Sequence, residues 1–270
     1  LGKGHFGEVF LAKTGSGSGE EQPILMVKAL QTKDEYALSE FKRELDLYQK
    51  ITHRRITRVL GVCREADPHL VVMEYTNWGD LKQFLLATRK DGVKKTPQPP
   101  PLTVSQIMGM VQQIVEGMEY LSNHRFLHKD LATRNCLISS NLDIKLSNPC
   151  LSKDTYAKEY YTYRNQSLPI RWMSPEAVLE DEYSIKSEVW AFSCTVWELF
   201  NQAELPLNGS TDPEVINMLS TGNIKWDAPT DAPVSLKELM ARCWSINPRE
   251  RPSFSEINAE LTRIDVNSEL

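Results

Sequence analysis

The chain has 270 residues, a formal net charge of −5, and 41% hydrophobic and 25% charged residues, which is ordinary for a soluble globular domain. It has no cluster of Lys and Arg of the kind that a nucleic-acid or lipid partner requires. Its five cysteines are odd in number and never spaced as C-x-x-C. We therefore expect reduced thiols in a cytosolic compartment, with neither a zinc site nor a disulfide framework.

The length favours two lobes over one hydrophobic core. No apolar run is as long as a membrane span, and nothing resembles a signal peptide. Because the chain opens on Leu1 inside a glycine motif, we expect it to be a piece of a longer protein.

Residues 1–76 are predicted to form a small β-rich lobe with one helix. Apolar runs predict strands at residues 9–12, 24–27, 59–62 and 70–73. The helix is predicted from apolar residues at 3-4-3 spacing, namely Leu38, Phe41, Leu45 and Tyr48.

Residues 77–270 are predicted to form a larger, mainly helical lobe. Helical periodicity runs from Ile107 to Leu121, and residues 189–200 are apolar all round, which indicates a helix buried at the centre of the lobe. Two apolar stripes, 236–243 and 254–264, predict the closing helices. The segment 88–101, which includes KDGVKKTPQPPP, is too Pro-rich and basic to pack, so we predict an exposed insert.

The N-terminus contains the pattern Gly-x-Gly-x-x-Gly-x-Val, formed by Gly2, Gly4, Gly7 and Val9. Glycines let backbone N–H groups approach anionic oxygens without a Cβ in the way. Taken alone the pattern is weak, because a glycine-containing β-turn is the commoner explanation.

Lys28 ends the second predicted strand, and Glu44 lies on the apolar face of the predicted helix. Taken singly, Glu44 is most simply a solvated helix charge. Together with the glycine loop before it and the loop described next, a Lys28–Glu44 pair that positions phosphates becomes the better interpretation.

The octapeptide HKDLATRN at residues 128–135 places Asp130 and Asn135 on one short loop, with Arg134 between them. The segment resembles the protein-kinase catalytic loop H-R-D-L-x-x-x-N, in which the Asp is the base and the Asn a metal ligand. The resemblance implies these roles for Asp130 and Asn135, and Lys129 replaces the usual Arg.

Thirteen residues further on, where such a kinase has D-F-G, the chain has Asn148-Pro149-Cys150. The aspartate of D-F-G holds the magnesium that bridges the ATP phosphates, and Asn148 lacks that charge. Pro149 removes both an aromatic ring and an N–H, and Cys150 resists the positive φ that glycine allows. We therefore expect no metal site and no competent catalytic residue, with Asp130, Arg134 and Asn135 as vestiges.

Met26 stands where kinases have the alanine that stacks on adenine. Overpacking of this kind costs about 1–3 kcal/mol, so we expect protein to fill the adenine slot. The nucleotide-pocket positions implied by the resemblance are Gly2, Gly4, Gly7, Val9, Met26, Lys28, Glu44, Met73 and Leu137.

The segment 151–176 resembles a receptor tyrosine kinase activation segment, with the Y-x-x-x-Y-Y tyrosines Tyr156, Tyr160 and Tyr161 followed by LPIRWMSPE. These tyrosines are either phosphorylation sites for another kinase or exposed loop residues with no role. The resemblance also implies a buried pair between Glu176 and Arg251, and Glu188 in place of the aspartate that ties down the catalytic loop.

Together these motifs resemble the Off-track/colon-carcinoma-kinase group of receptor tyrosine pseudokinases, over essentially the whole chain. The resemblance implies an α+β, bilobal protein-kinase fold in the cytoplasmic part of a single-pass plasma-membrane receptor. It also implies protein partners, namely active kinases, adaptors or Wnt-pathway components, in Wnt and planar-polarity signalling. We expect no cofactor and no nucleic-acid partner.

Three functions remain open from the sequence. The first is a pseudokinase scaffold that does not bind ATP. The second is a weak tyrosine kinase that uses ATP and magnesium, which the surviving Asp130 and Asn135 allow. The third is a magnesium-independent nucleotide-sensing switch, which the complete glycine loop allows and Met26 argues against.

Overall fold

A computed structural model describes residues 2–3, 7–13, 23–30, 42, 45, 48–65, 68–89, 99–147 and 155–266. Its N-terminal part is a five-stranded antiparallel sheet in the order β1-β2-β3-β5-β4. The strands are β1 (Gly2–Lys3), β2 (Gly7–Lys13), β3 (Ile24–Leu30), β4 (Val59–Cys63) and β5 (His69–Glu74).

The register of this sheet gathers the predicted pocket residues on one face. Met26 lies opposite Met73, and Lys28 lies opposite both Val9 and Val71. Because side chains alternate along a strand, Met26 and Lys28 point to the same side of the sheet. That face carries the smaller of the two apolar cores.

Lys42, Leu45 and Tyr48 are helical, and Leu45 and Tyr48 are buried, as the predicted helix requires. Leu38 and Phe41, the other two members of that apolar stripe, lie outside the described residues. The ring of Tyr48 packs edge-on against Phe126, with centroids 5.0 Å apart, so this helix touches the segment that leads into residues 128–135.

The C-terminal part contains seven α-helices in the described residues. They are α1 (Leu81–Thr88), α2 (Val104–Asn123), α3 (Pro175–Leu179), α4 (Ile185–Phe200), α5 (Asp212–Thr221), α6 (Val234–Cys243) and α7 (Phe254–Leu261). Helix α4 includes the mainly apolar segment 189–200, which also carries the buried carboxylate of Glu198, and it lies in the larger core. The predicted bilobal α+β kinase fold is thus confirmed.

Two short ladders complete the fold. They pair β6 (Cys136–Ile138) with β7 (Ile144–Leu146), and β8 (Tyr161–Tyr163) with β9 (Gln166–Leu168). A 3-10 helix, Thr133–Asn135, leads directly into β6. The last predicted stripe is slightly too long, since α7 ends at Leu261 and Ile264 packs from beyond the helix.

The predicted insert 88–101 begins too early. Thr88 is buried and ends α1, and its hydroxyl donates to the carbonyl oxygen of Leu85 at 2.6 Å. Because its side chain is buried and bonds a carbonyl of α1, Thr88 belongs to that helix and not to an exposed insert. Residues 90–98 lie outside the described residues.

The four described cysteines are free, and Cys136, Cys194 and Cys243 are buried. Cys150 lies outside the described residues. Among the helices that the structure describes, none combines the length and the apolar character needed to cross a membrane.

Candidate functional site: a catalytic-like loop with a docked segment

Glu188, in the first turn of α4, holds the loop 128–135 by its backbone. Its carboxylate accepts the N–H of His128 at 3.2 Å and the N–H of Lys129 at 2.9 Å. Burial raises the pKa of Glu188 to about 7, although these two donors act to lower it. A glutamate at this position therefore does the work for which the resemblance implies an aspartate.

The imidazole of His128 fixes the other side of the same loop. Its Nδ1 accepts the N–H of Asp130 at 3.4 Å, so Nε2 carries the proton and donates to the carbonyl oxygen of Ser147 at 2.7 Å. Burial lowers the pKa of His128, which favours this neutral form. The loop is thereby joined to the residue that precedes Asn148.

Both oxygens of the Asp130 carboxylate are occupied. Oδ1 accepts from the Arg134 guanidinium, and Oδ2 accepts the Tyr160 hydroxyl at 2.6 Å. The Nε of Arg134 also donates to the Tyr160 hydroxyl at 2.9 Å, and its guanidinium lies 4.7 Å from the centroid of that ring. The activation-segment tyrosine thus lies where a substrate hydroxyl would have to approach Asp130.

A buried ion network extends from Arg134 to α1. Glu159 pairs with Arg134 at 2.9 Å and with Lys82 at 2.8 Å, and Lys82 also lies 3.5 Å from Glu198. Glu198, on α4, accepts the indole N–H of Trp172 at 2.8 Å. Every one of these charged groups is buried, so the network joins the activation segment to the centre of the lobe.

Tyr156 docks the activation segment at a second point. It is buried, and its hydroxyl donates to Asp80, the N-cap residue of α1, at 2.7 Å. Asp80 also forms a β-bridge with Leu137. The sequence left open whether Tyr156 is an exposed loop residue, and its burial rules that alternative out. Tyr161, by contrast, is only half-buried.

Four of the predicted nucleotide-pocket residues lie together in the smaller core. Val9, Met26, Met73 and Leu137 belong to one apolar cluster and have relative exposures of 3%, 0%, 1% and 0%. Leu45, from the N-lobe helical segment, packs in the same cluster.

The remaining pocket positions are less completely described. Lys28 is half-buried in β3, and Gly2 and Gly7 lie in β1 and β2. Gly4 and Glu44 lie outside the described residues, so the predicted Lys28–Glu44 pair cannot be placed. Asn148, Pro149 and Cys150 lie outside them as well.

Asn135 is the one predicted metal-binding residue that the structure describes. Its Nδ2 donates to the carbonyl oxygen of Asp130 at 2.6 Å, and its buried Oδ1 has no hydrogen-bond partner among the residues that the structure describes. An amide oxygen can accept from a cation or a water, but it carries no charge. In the described ranges no group of three metal-ligating side chains was found.

The structure contains the predicted pair between Glu176 and Arg251, with two contacts of 2.6 and 2.9 Å. Lys129 adopts a positive φ of 66°, and its ammonium lies 4.8 Å from the centroid of the Tyr183 ring. The site thus has a rigid frame on one side and an activation segment folded onto it on the other.

Comparison with known proteins decides the family. The family model described as "Protein tyrosine and serine/threonine kinase" matches residues 1–261. The chain belongs to this family. The catalytic-like loop, the activation segment and the glycine loop described above are therefore the corresponding parts of a kinase domain.

Curated relatives narrow the resemblance. The chain is 47% identical over 269 residues, 99% of its length, to human "Inactive tyrosine-protein kinase 7", of which it covers 25%. It is 49% identical over 254 residues, 91% of its length, to "Tyrosine-protein kinase-like otk" of Drosophila willistoni, of which it covers 24%. The chain thus spans about a quarter of these relatives. The predicted resemblance to the Off-track group is confirmed, and the name of the human relative supports the pseudokinase prediction.

Sequence reasoning missed the network that holds the activation segment closed. Lys82, Glu159 and Asp80 were not singled out, because a lysine or glutamate on a polar surface is the default expectation. A weak signal was present, since Asp80 immediately precedes an apolar helix and so has the position of an N-cap.

Proposed function

We propose that this domain is a pseudokinase that acts as a protein-binding scaffold and does not bind ATP. By resemblance it is the cytoplasmic domain of a single-pass receptor in Wnt or planar-polarity signalling. Its partners would be active kinases, adaptors or Wnt-pathway components. The names of the relatives support the pseudokinase part of this proposal, and the signalling role rests on the resemblance alone.

The burial of Met26 carries the proposal. Met26 lies opposite Met73 in the β3–β5 ladder, and both belong to one apolar cluster with Leu137. An adenine ring would have to displace at least one of these side chains from a packed cluster. Displacement or strain of that size costs about 1–3 kcal/mol. This cost adds to a second one, because Asn148 lacks the negative charge of the aspartate that would hold the magnesium on ATP.

The state of Asp130 supports the same conclusion independently. A carboxylate can act as a base only toward a proton within hydrogen-bond reach. Tyr160 and Arg134 occupy both of its oxygens, so a substrate hydroxyl would first have to displace the activation segment. Because Glu159 and Tyr156 also hold that segment, the closed arrangement has three points of attachment.

Thermal-shift titration with ATP, with and without magnesium, tests the proposal. A ligand that binds only the native state at about 100 times its Kd adds roughly 2.7 kcal/mol of stability. We expect no shift at millimolar ATP in either condition. A shift with the native chain would overturn the closed-slot proposal.

The variant Met26→Ala tests the stated cause. Truncation opens the slot, and we expect it to create a measurable ATP-dependent shift. Met110→Ala is the matched control, because Met110 is equally buried but lies in the C-lobe core. If Met26→Ala gains no more ATP response than Met110→Ala, the adenine-slot argument is wrong.

The Oδ1 of Asn135, which has no hydrogen-bond partner in the described part of the chain, favours one second candidate, a weak tyrosine kinase. Metal stabilisation of the transferred phosphoryl group is worth several kcal/mol, and a loss of about 4 kcal/mol leaves roughly a thousandth of the rate. The triple reversion Asn148→Asp, Pro149→Phe and Cys150→Gly discriminates, with the same protein carrying Asp130→Asn as control. Activity that appears in the reversion and disappears in the control would favour this candidate.

A further inference from the structure

The loop between α3 and α4 presents an acidic run that ends in a tyrosine. Glu180, Asp181 and Glu182 are exposed, and Tyr183 is half-buried. Residues 181–184 belong to neither a helix nor a strand. The backbone N–H of Glu182 bonds the Glu176 carbonyl at 3.2 Å, and Ser184 is the N-cap of α4, so Tyr183 lies in a short loop anchored on both sides.

Tyr183 is held differently from the activation-segment tyrosines Tyr156, Tyr160 and Tyr161. The hydroxyls of Tyr156 and Tyr160 are hydrogen-bonded to Asp80 and Asp130. Tyr161 lies in the β8–β9 ladder, where its backbone is paired. A kinase reads its substrate as an extended segment, so Tyr183 must leave its cavity and its contact with Lys129, whereas Tyr156 and Tyr160 must also break hydrogen bonds and Tyr161 must leave a strand ladder.

We propose that Tyr183 is a phosphorylation site for a separate, active tyrosine kinase whose substrate groove is basic. The three exposed carboxylates immediately before Tyr183 supply the charge complementarity that such a groove selects. This inference does not depend on whether the domain itself binds nucleotide.

The chemistry requires ATP bound to that second kinase. The phenol oxygen of Tyr183 attacks the γ-phosphorus, a new O–P bond forms, and the bond between the γ-phosphorus and the ADP oxygen breaks. The phenol proton passes to the carboxylate base of the second kinase. The products are ADP and phosphorylated Tyr183.

The surroundings of Tyr183 determine what the phosphate does. The side chain lines a small cavity that is also bounded by Asp130, Glu188 and Lys129, and Lys129 covers its ring. A phosphate adds close to two negative charges, which Asp130 and Glu188 repel. We therefore expect the phosphorylated side chain to leave the cavity and the loop 180–184 to move outward with it. The ammonium of Lys129 is then the neighbouring cation that can pair with the phosphate.

The test is phosphorylation of the folded domain by an added tyrosine kinase catalytic domain with magnesium ATP, followed by mapping of the sites by mass spectrometry. The expected result is phosphate on Tyr183 in the native chain, none there in Tyr183→Phe, and none anywhere without the added kinase. The triple change Glu180→Gln, Asp181→Asn and Glu182→Gln should slow labelling of Tyr183 by roughly tenfold. Glu238→Gln, which removes an exposed carboxylate on α6, should leave the rate unchanged.

Two results would overturn the inference. One is a native chain in which phosphate appears on other tyrosines, or on none, while Tyr183 stays unmodified. The other is labelling of Tyr183 and of the core residue Tyr48 at equal rates, because that pattern reports an unfolded chain and not a site in the folded domain. An equal rate in the acidic-run variant would refute the stated basis of recognition.

Discussion

The carboxylate of Glu188 accepts the backbone N–H of Lys129 at 2.9 Å, at a point where Lys129 has a φ of 66°. A non-glycine residue in this left-handed region is strained. The carboxylate of Glu188 thus stabilises a conformation that the chain would otherwise avoid. Because burial raises its pKa to about 7, this contact depends on pH near neutrality.

The free energy of unfolding should contain a pH-dependent contribution from Glu188. Its folded pKa of about 7 lies above the ordinary glutamate value of 4.5, so the folded state binds the proton more tightly. This contribution stabilises the fold below about pH 4.5 and is lost as the pH rises to 7, by up to about 3 kcal/mol. Denaturant unfolding of the native chain and of Glu188→Gln between pH 5 and 8 measures it.

The difference between these two profiles isolates Glu188, because His128 titrates in both proteins. The lowered pKa of His128 acts in the opposite direction, since it costs stability as the pH falls. If the difference between the profiles does not change with pH, Glu188 is not the titrating group.

Tyr160→Phe should loosen the activation segment. The change removes a hydroxyl that bonds two charged groups, Asp130 and Arg134, and hydrogen bonds to charged groups are worth about 1.5–3 kcal/mol. We expect faster hydrogen exchange across residues 155–163. Tyr163→Phe, in β8, is the matched control and should leave exchange there unchanged; equal effects of the two variants would contradict the docking role of Tyr160.

Glu176→Gln should lower the free energy of unfolding by about 3 kcal/mol. The variant leaves the fully buried guanidinium of Arg251 without its carboxylate, and breaking a buried pair on one side is strongly destabilising. The control is Glu260→Gln, because the pair between Arg242 and Glu260 has side chains that are 49% and 36% exposed. That change should cost less than about 1 kcal/mol. Urea unfolding of both variants measures the two losses, and a larger loss for Glu260→Gln than for Glu176→Gln would contradict the prediction.

Gly117→Ala and Gly109→Ala should have opposite signs. A Cβ at Gly117 would lie 2.8 Å from Leu146 Cδ1 and 3.2 Å from the Arg55 carbonyl oxygen, whereas a Cβ at Gly109 meets nothing within 4 Å. Since both residues lie in α2, helix propensity favours alanine equally, by up to about 1 kcal/mol. Overpacking should make Gly117→Ala destabilising by roughly 1–3 kcal/mol. Thermal unfolding that ranks the two variants equally would contradict this.

Features that depend on the spacing of short motifs, or on the size of one side chain, could be predicted from the sequence. The two-lobed fold, the Glu176–Arg251 contact and the anchoring role of Glu188 could be foreseen because motif spacing fixes them. Closure of the adenine slot remains a prediction, which rests on Met26 being larger than the alanine that it replaces and on its burial in the smaller core.

Features that depend on long-range geometry could not be predicted. Lys82 and Glu159 are far apart in the chain, and nothing local indicates that each is buried. The docking of Tyr156 on Asp80 depends on how the activation segment folds back, which periodicity does not encode. The exact start of the insert was misjudged because Thr88 satisfies a helical carbonyl, a detail that composition does not reveal.

Glu159 pairs with two cations, Lys82 and Arg134, and this shared pairing affects which surface the domain can present to a partner. If Glu159 leaves with the activation segment, Lys82 keeps Glu198 and Arg134 keeps Asp130. Neither cation is stranded, so the large penalty of a lone interior charge does not arise. Release of the segment would therefore cost its contacts through Tyr156, Tyr160 and Glu159 but would leave no unpaired interior cation, and it would change the face that the chain presents from masked to bare.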